Sequence, residues 1–146
     1  MRRNSPKSPI CEIRLPAEEA TIAAAIALAE RFCATVGCSG EWRARLLILI
    51  EELVANLIDH GRAPEGSMIG LRLALAGDVS IRLDITDCGG PFDPRIAAPD
   101  EAALPPEDGR GGAGLRLLAA WAVILDYASV EGVNRLRIDV PRPEAG

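Results

Sequence analysis

The chain has 146 residues, 49% of them apolar, with 14 glycines, 11 prolines, five aromatics, one histidine and a formal charge of −5. A chain of this length buries roughly two thirds of its unfolded surface, so one core needs no metal or disulfide staple. Acidity and few aromatics argue against phosphate-backbone binding and base-stacking platforms, and His60 alone excludes zinc sites that need two or three histidines.

The segment Met1 to Pro9 carries Arg2, Arg3 and Lys7 with no apolar stretch behind them, unlike a signal peptide or membrane anchor. No apolar run reaches the roughly 18 residues of a membrane span. Cys11, Cys33, Cys38 and Cys88 include no C-x-x-C pair and read as small buried or half-buried thiols of a reducing compartment. The expectation is a cytoplasmic protein with a flexible N-terminus (residues 1–9) and one domain over residues 10–146, binding neither nucleic acid nor membrane.

Ile10 to Leu15 alternates and predicts a short strand. Pro16-Ala17-Glu18-Glu19 reads as the first turn of a helix that runs to about Thr35. Gly37 to Gly40 breaks it, and Ser39 is placed to N-cap a second helix from about Glu41 to His60, ended by Gly61. Leu46, Leu49, Ile50, Leu53 and Leu57 make its core-facing stripe. Met68 to Leu75 and Val79 to Thr86 alternate on either side of Ala76-Gly77-Asp78, which predicts a hairpin. In the second of these, Val79, Ile81, Leu83 and Ile85 share the face expected to be buried, opposite Ser80, Arg82, Asp84 and Thr86.

From Asp87 to Gly114 the chain holds six of its glycines and five of its prolines. Periodicity resumes in a short helix from about Ala113 to Ala120 and in strands from about Ala122 to Ser129 and Asn134 to Val140. The order β-α-α-β-β-loop-α-β-β fits an α+β fold with one antiparallel or mixed sheet and its helices on a single face.

Three segments have chemical potential. Glu52, Asn56 and His60 are spaced four apart, which lines them up beside the apolar stripe of the second helix. A carboxylate and an amide oxygen on adjacent turns can hold hydrated Mg²⁺ and poise a nucleophile; an exposed polar edge would show the same spacing. Asp87-Cys-Gly89-Gly90-Pro91-Phe92-Asp93-Pro94 sets an acid at a strand end before paired glycines, so backbone can approach a flat ligand whose exocyclic amine the acid accepts. An ordinary Asp-Gly turn has the same start. Gly109-Arg110-Gly111-Gly112-Ala113-Gly114-Leu115 opens the third helix with free backbone N–H groups suited to phosphate oxygens. It lacks the Lys-Ser/Thr of a Walker A loop.

In this order the three segments, E-x-x-x-N-x-x-x-H, D-x-G-x-P-F-D-P and R-G-G-x-G-L, resemble the nucleotide-binding boxes of the GHKL ATPase/kinase superfamily. The likeness covers about residues 10 to 140 and is nearest to the single-domain anti-sigma factor serine/threonine kinases of partner-switching systems. The resemblance implies a Bergerat-type two-layer α/β sandwich with about three helices on one face of the sheet. It implies ATP and Mg²⁺ as cofactors, with Asn56 as metal ligand and Glu52 as general base. Asp87 would bind adenine, with Gly89, Gly90 and Phe92 near the base. Gly111, Gly112, Ala113, Gly114 and Leu115 would wrap the phosphates, Arg110 would approach the terminal phosphate, and His60 would line the phosphate side. Where the family has a Thr-rich segment, this chain has Gly132-Val133-Asn134-Arg135, and Asn134 is the substitute polar contact. Residues from about Arg95 to Gly109 would form an ATP lid.

The partners implied are an anti-sigma factor antagonist of STAS type and a sigma factor, with a homodimer as the assembly. The alternative on the same fold is an ATP-dependent binding protein without kinase activity.

Overall fold

A computed structural model describes residues 8–95 and 112–144. Its elements are β1 (Ile10–Pro16), α1 (Ala20–Val36), α2 (Gly40–His60), β2 (Met68–Ala76), β3 (Ser80–Asp87), α3 (Gly112–Trp121), β4 (Val123–Val130) and β5 (Val133–Pro141). The five strands lie in the order β1-β2-β3-β5-β4 and every neighbouring pair is antiparallel, which settles the choice between a mixed and an antiparallel sheet.

The three helices pack on one face of this sheet. Alternation in β2, β3 and β5 sends Ile69, Leu71, Leu73, Ile81, Leu83, Ile85, Ile138 and Val140 inward, all buried. They meet Ala25, Leu28, Ala29 and Phe32 of α1, Leu46, Leu49, Ile50, Leu53 and Val54 of α2, and Leu118 of α3 in one core. The Trp42 indole N–H donates to the Val140 carbonyl at 3.0 Å, fixing the first turn of α2 to β5. Cys33 and Cys38 are buried, and Cys11 and Cys88 are half-buried.

Local chain geometry departs from the sequence reading at four points. Pro16 does not open α1: it closes β1 opposite Met68, and the helix starts at Ala20. β1 is an edge strand, where a residue without an N–H is tolerated, and the Ala17 N–H continues the pairing by donating to the Ser67 carbonyl at 3.2 Å. Ser39 occupies the N-cap of α2 in extended geometry, but its side chain makes no capping hydrogen bond. Gly61 ends α2 in right-handed geometry, and the reversal falls on Arg62 at φ 49°. Val79 sits in the β2–β3 turn, 64% exposed, so the buried face of β3 begins at Ile81.

Candidate functional site

Asn56, in the middle of the polar stripe of α2, faces a cleft between α2, α3 and the end of the sheet. Leu53, Asn56, Leu57 and Leu115 wall it from the helices, and Ile85, Asp87, Tyr127 and Leu136 from the strands. Gly90, Phe92 and Pro94 close it from the loop after β3. The cavity holds about 90 Å³, and its surface is mainly apolar with polar groups at its two ends.

At one end stands Asp87, the last residue of β3. Register places it opposite Asn134 of β5, and both side chains are buried. Asp87 Oδ2 accepts from the Gly89 N–H at 2.9 Å and from Asn134 Nδ2 at 3.2 Å. Asn134 Nδ2 also donates to the Gly89 carbonyl at 2.8 Å, while its Oδ1 accepts from Ser129 Oγ at 2.7 Å. Asn134 is therefore fixed on both sides and holds one carboxylate oxygen of Asp87. Asp87 Oδ1 has no hydrogen-bond donor among the described residues and is available to the cleft.

The glycine pair after Asp87 is clamped to the end of α2. The Gly90 N–H donates to the Gly61 carbonyl at 2.8 Å. A β-carbon on Gly89 would lie 2.1 Å from the Gly61 oxygen, so only glycine permits this approach. The Phe92 N–H donates to Tyr127 Oη at 2.8 Å, and Phe92 itself is 57% exposed at the cleft margin. Asp93 is engaged by its neighbour: Arg95 Nη2 lies 2.8 Å from its Oδ2, and this bond holds the Asp93 carboxyl below the usual carboxylate range.

At the other end, α3 begins at Gly112 and meets α2 through Gly114. A β-carbon on Gly114 would lie 3.0 Å from Asn56 Nδ2, 3.3 Å from Glu52 Cβ and 3.6 Å from Glu52 Oε2. The N-terminal turn of α3, whose first N–H groups have no partner within the helix, is thus seated against the acid and the amide of the first segment.

The structure brings together Glu52, Asn56, Gly114 and Leu115 at one end, and Asp87, Gly89, Gly90, Phe92 and Asn134 at the other. His60 is exposed at the last residue of α2 and is not part of the cleft wall. Arg110, Gly111 and all of the proposed lid except Arg95 lie outside the described residues, and of Gly112 and Ala113 only the backbone is described. Sequence reading missed Tyr127, Leu53, Leu57, Ile85, Leu136 and Pro94 as cleft residues. For Leu53, Leu57 and Ile85 the signal was present, as the cleft ends of stripes already read as core.

Glu52 and Asn56 are oxygen donors one helical turn apart, which suits an octahedral cation that keeps most of its ligands as water and phosphate. Among the described residues no three His, Cys, Asp or Glu side chains gather into a metal site of their own. No helix among them is long and apolar enough to cross a membrane.

The sequence model of the histidine kinase-like ATPase domain matches residues 15–140, and the chain belongs to that family. Among solved structures it is similar to the RsbU and RsbW domains of Rv1364c from Mycobacterium tuberculosis. That match has 22% identity and a TM-score of 0.61 over 93% of this chain and 34% of that one. It also matches the histidine kinase domain of the blue-light activated histidine kinase from Erythrobacter litoralis EL346, at 17% identity and a TM-score of 0.49, over 87% and 61% of the two chains. The first likeness shows a shared fold; this chain spans about a third of that protein chain. No curated protein matches the sequence.

Proposed function

We propose that the protein binds Mg-ATP in this cleft and acts as a serine/threonine protein kinase on an anti-sigma factor antagonist of STAS type, while holding a sigma factor inactive. The observation that supports it most directly is the seating of Gly114 against Asn56 and Glu52, which gathers phosphate-binding backbone, a metal-ligating amide and a carboxylate at one end of the cleft.

In this reading Asp87 Oδ1 accepts from the adenine amine, and the apolar walls from Leu53, Ile85 and Leu136 cover the base. The N–H groups of the α3 N-terminus, from Gly112 to Leu115, take the phosphate oxygens, favoured by the helix dipole, and Gly111 keeps the phosphate-side role that the resemblance implies. Asn56 would hold Mg²⁺, which when bound neutralises phosphate charge. Glu52 accepts the proton of the partner's hydroxyl as the γ-phosphoryl leaves ADP in line for the hydroxyl oxygen. Arg110 keeps the phosphate-side role that the resemblance implies, whereas His60, exposed beside Gly61 at the far end of α2, has no part in this reading, and the cytoplasm and a homodimer remain the expected setting.

Incubating the protein with γ-labelled ATP, Mg²⁺ and a STAS-type antagonist from the same organism tests the reading. Label should move to a Ser or Thr of the antagonist. Glu52→Ala should keep ATP binding and lower the transfer rate by about 10² to 10⁴. ATP binding by the native protein with no transfer would contradict the kinase and leave the ATP-dependent binding protein.

A further inference from the structure

The face of the sheet turned away from the helices carries its charges in rows set by strand register. One row crosses as Glu12, Arg72, Asp84, Arg137 and Asp126. Its signs alternate, with Arg72 Nε 3.0 Å from Glu12 Oε1 and Arg137 Nε 2.7 Å from Asp84 Oδ1. The next row contains Arg82 and Asp139, closed on each other by bonds of 2.9 and 3.1 Å. The second of these rows neutralises itself, and the first has one acid in surplus, Asp126, which turns to Arg135 of the row beyond.

The row on the other side crosses as Arg14, Gly70, Thr86, Arg135 and Ala128, with two guanidinium groups and no acid. Arg14 makes no ion pair among the described residues. Among the described residues Arg135 reaches only Asp126, at 3.4 Å, with 45% and 50% of the two side chains exposed, a pair that salt readily screens. Gly70 leaves a gap at the centre of the row: a β-carbon there would lie 2.4 Å from Thr86 Oγ1. The result is a depression of about 390 Å³ floored by Gly70 and Thr86 and walled by Arg14, Arg72, Arg135 and Arg137, with Glu12 and Asp84 also on its wall but engaged by Arg72 and Arg137.

We propose that this depression docks an acidic segment of a partner protein, with a Glu or Asp carboxylate held between Arg14 and Arg135 above Gly70 and the Thr86 hydroxyl. Arg14 and Arg135 stand three strands apart, about 14 Å between backbones, and two arginine side chains leaning inward span that distance. Arg14 already leans this way, its Cγ 3.9 Å from the β-carbon position of Gly70. A guanidinium fork matches a carboxylate with two parallel bonds, and the hydroxyl adds a third donor. Val133, two residues along β5 from Arg135, and its partner Val130 stand 47% and 64% exposed beside the row. They offer aliphatic contact to the residues next to the acid. A chain of formal charge −5 repels an extended polyanion, so one unpaired guanidinium and a second held only by an exposed, screened pair suit a single carboxylate rather than nucleic acid or an anionic membrane.

The site is independent of the cleft. Arg135 follows Asn134, and Thr86 precedes Asp87, so the two sites lie on opposite faces of the same strand pair.

The probe is a fluorescein-labelled decapeptide of alternating Glu and Val, with a Gln/Val decapeptide as control, read by anisotropy and by amide chemical shifts of the full chain. The Glu peptide should bind, shift Gly70, Thr86 and Arg135, and weaken with salt. The double variant Arg14→Gln/Arg135→Gln should lose at least tenfold in affinity, while Arg82→Gln, in a self-neutralised row, should lose less than twofold. ADP affinity should be the same in all of them, which separates this site from the nucleotide reading. No binding of the Glu peptide, equal binding by the double variant, shifts confined to the cleft, or tighter binding of duplex DNA or phosphatidylglycerol vesicles would each overturn the proposal.

Discussion

Asn134 Nδ2 lies 3.2 Å from Asp87 Oδ2, and the same nitrogen donates to the Gly89 carbonyl at 2.8 Å. One buried amide thereby orients the acid and the glycine turn after it. In Asn134→Ala the carboxylate loses a donor and Gly89 a partner, at a cost of about 1–3 kcal/mol of stability for the groups left unsatisfied. ADP affinity should fall about tenfold as Asp87 gains rotational freedom, an effect that calorimetry and urea unfolding separate.

Two glycines of the site should respond to alanine in opposite ways. Gly89→Ala drives a methyl into the Gly61 carbonyl, backbone that cannot yield, and should destabilise the chain by about 2–3 kcal/mol. Gly114→Ala meets the far end of the Asn56 side chain at 3.0 Å and Glu52 Cβ at 3.3 Å, contacts that a shift of a few tenths of an ångström relieves, and in a helix the substitution itself gains up to about 1 kcal/mol. Its unfolding midpoint should hold or rise while Mg-ATP affinity drops as Asn56 is displaced. A thermal melt beside a nucleotide titration checks the pair.

Burial pushes the Cys33 thiol up to about 12 and raises that of Cys38 from the ordinary 9.0. Because the unfolded chain then releases these protons first, the thiols favour the folded state fully below pH 9 and progressively less as pH climbs towards 12. Urea midpoints should fall across that window, and the fall should be shallower in Cys33→Ala. In the native protein at pH 8, a thiol reagent should modify the half-buried Cys11 and Cys88 well before Cys33 and Cys38. Four equally fast thiols would contradict the packing described for α1.

The helices and the β2–β3 hairpin were legible because their signals are local: the apolar stripe of α2 and the alternation of β2 and β3 each decide a face from a few neighbours. The three motif segments were legible for the same reason. Tyr127 was not. Simple alternation pairs Tyr127 with Leu125 and Val123, but register shifts between Ile124 and Asp126, so Ile124 and Tyr127 point inward opposite Ile138 and Leu136. The α1 start misread at Pro16 has a similar origin, since pairing with Met68 of β2 outweighs the preference of proline for a first helical turn. The cationic row of the outer face also depends on register across four strands, which no single segment encodes.

The most direct test is a calorimetric titration of Mg-ADP into the native protein and into Asp87→Asn. The asparagine oxygen can replace Oδ2 as acceptor for Gly89 and Asn134, so the fold should stand, but its amide then offers a donor to the cleft where adenine also presents one. The native chain should bind one nucleotide, and Asp87→Asn none at the same concentrations. Full affinity in a folded Asp87→Asn would contradict the placement of adenine at Asp87 and with it the reading of the cleft.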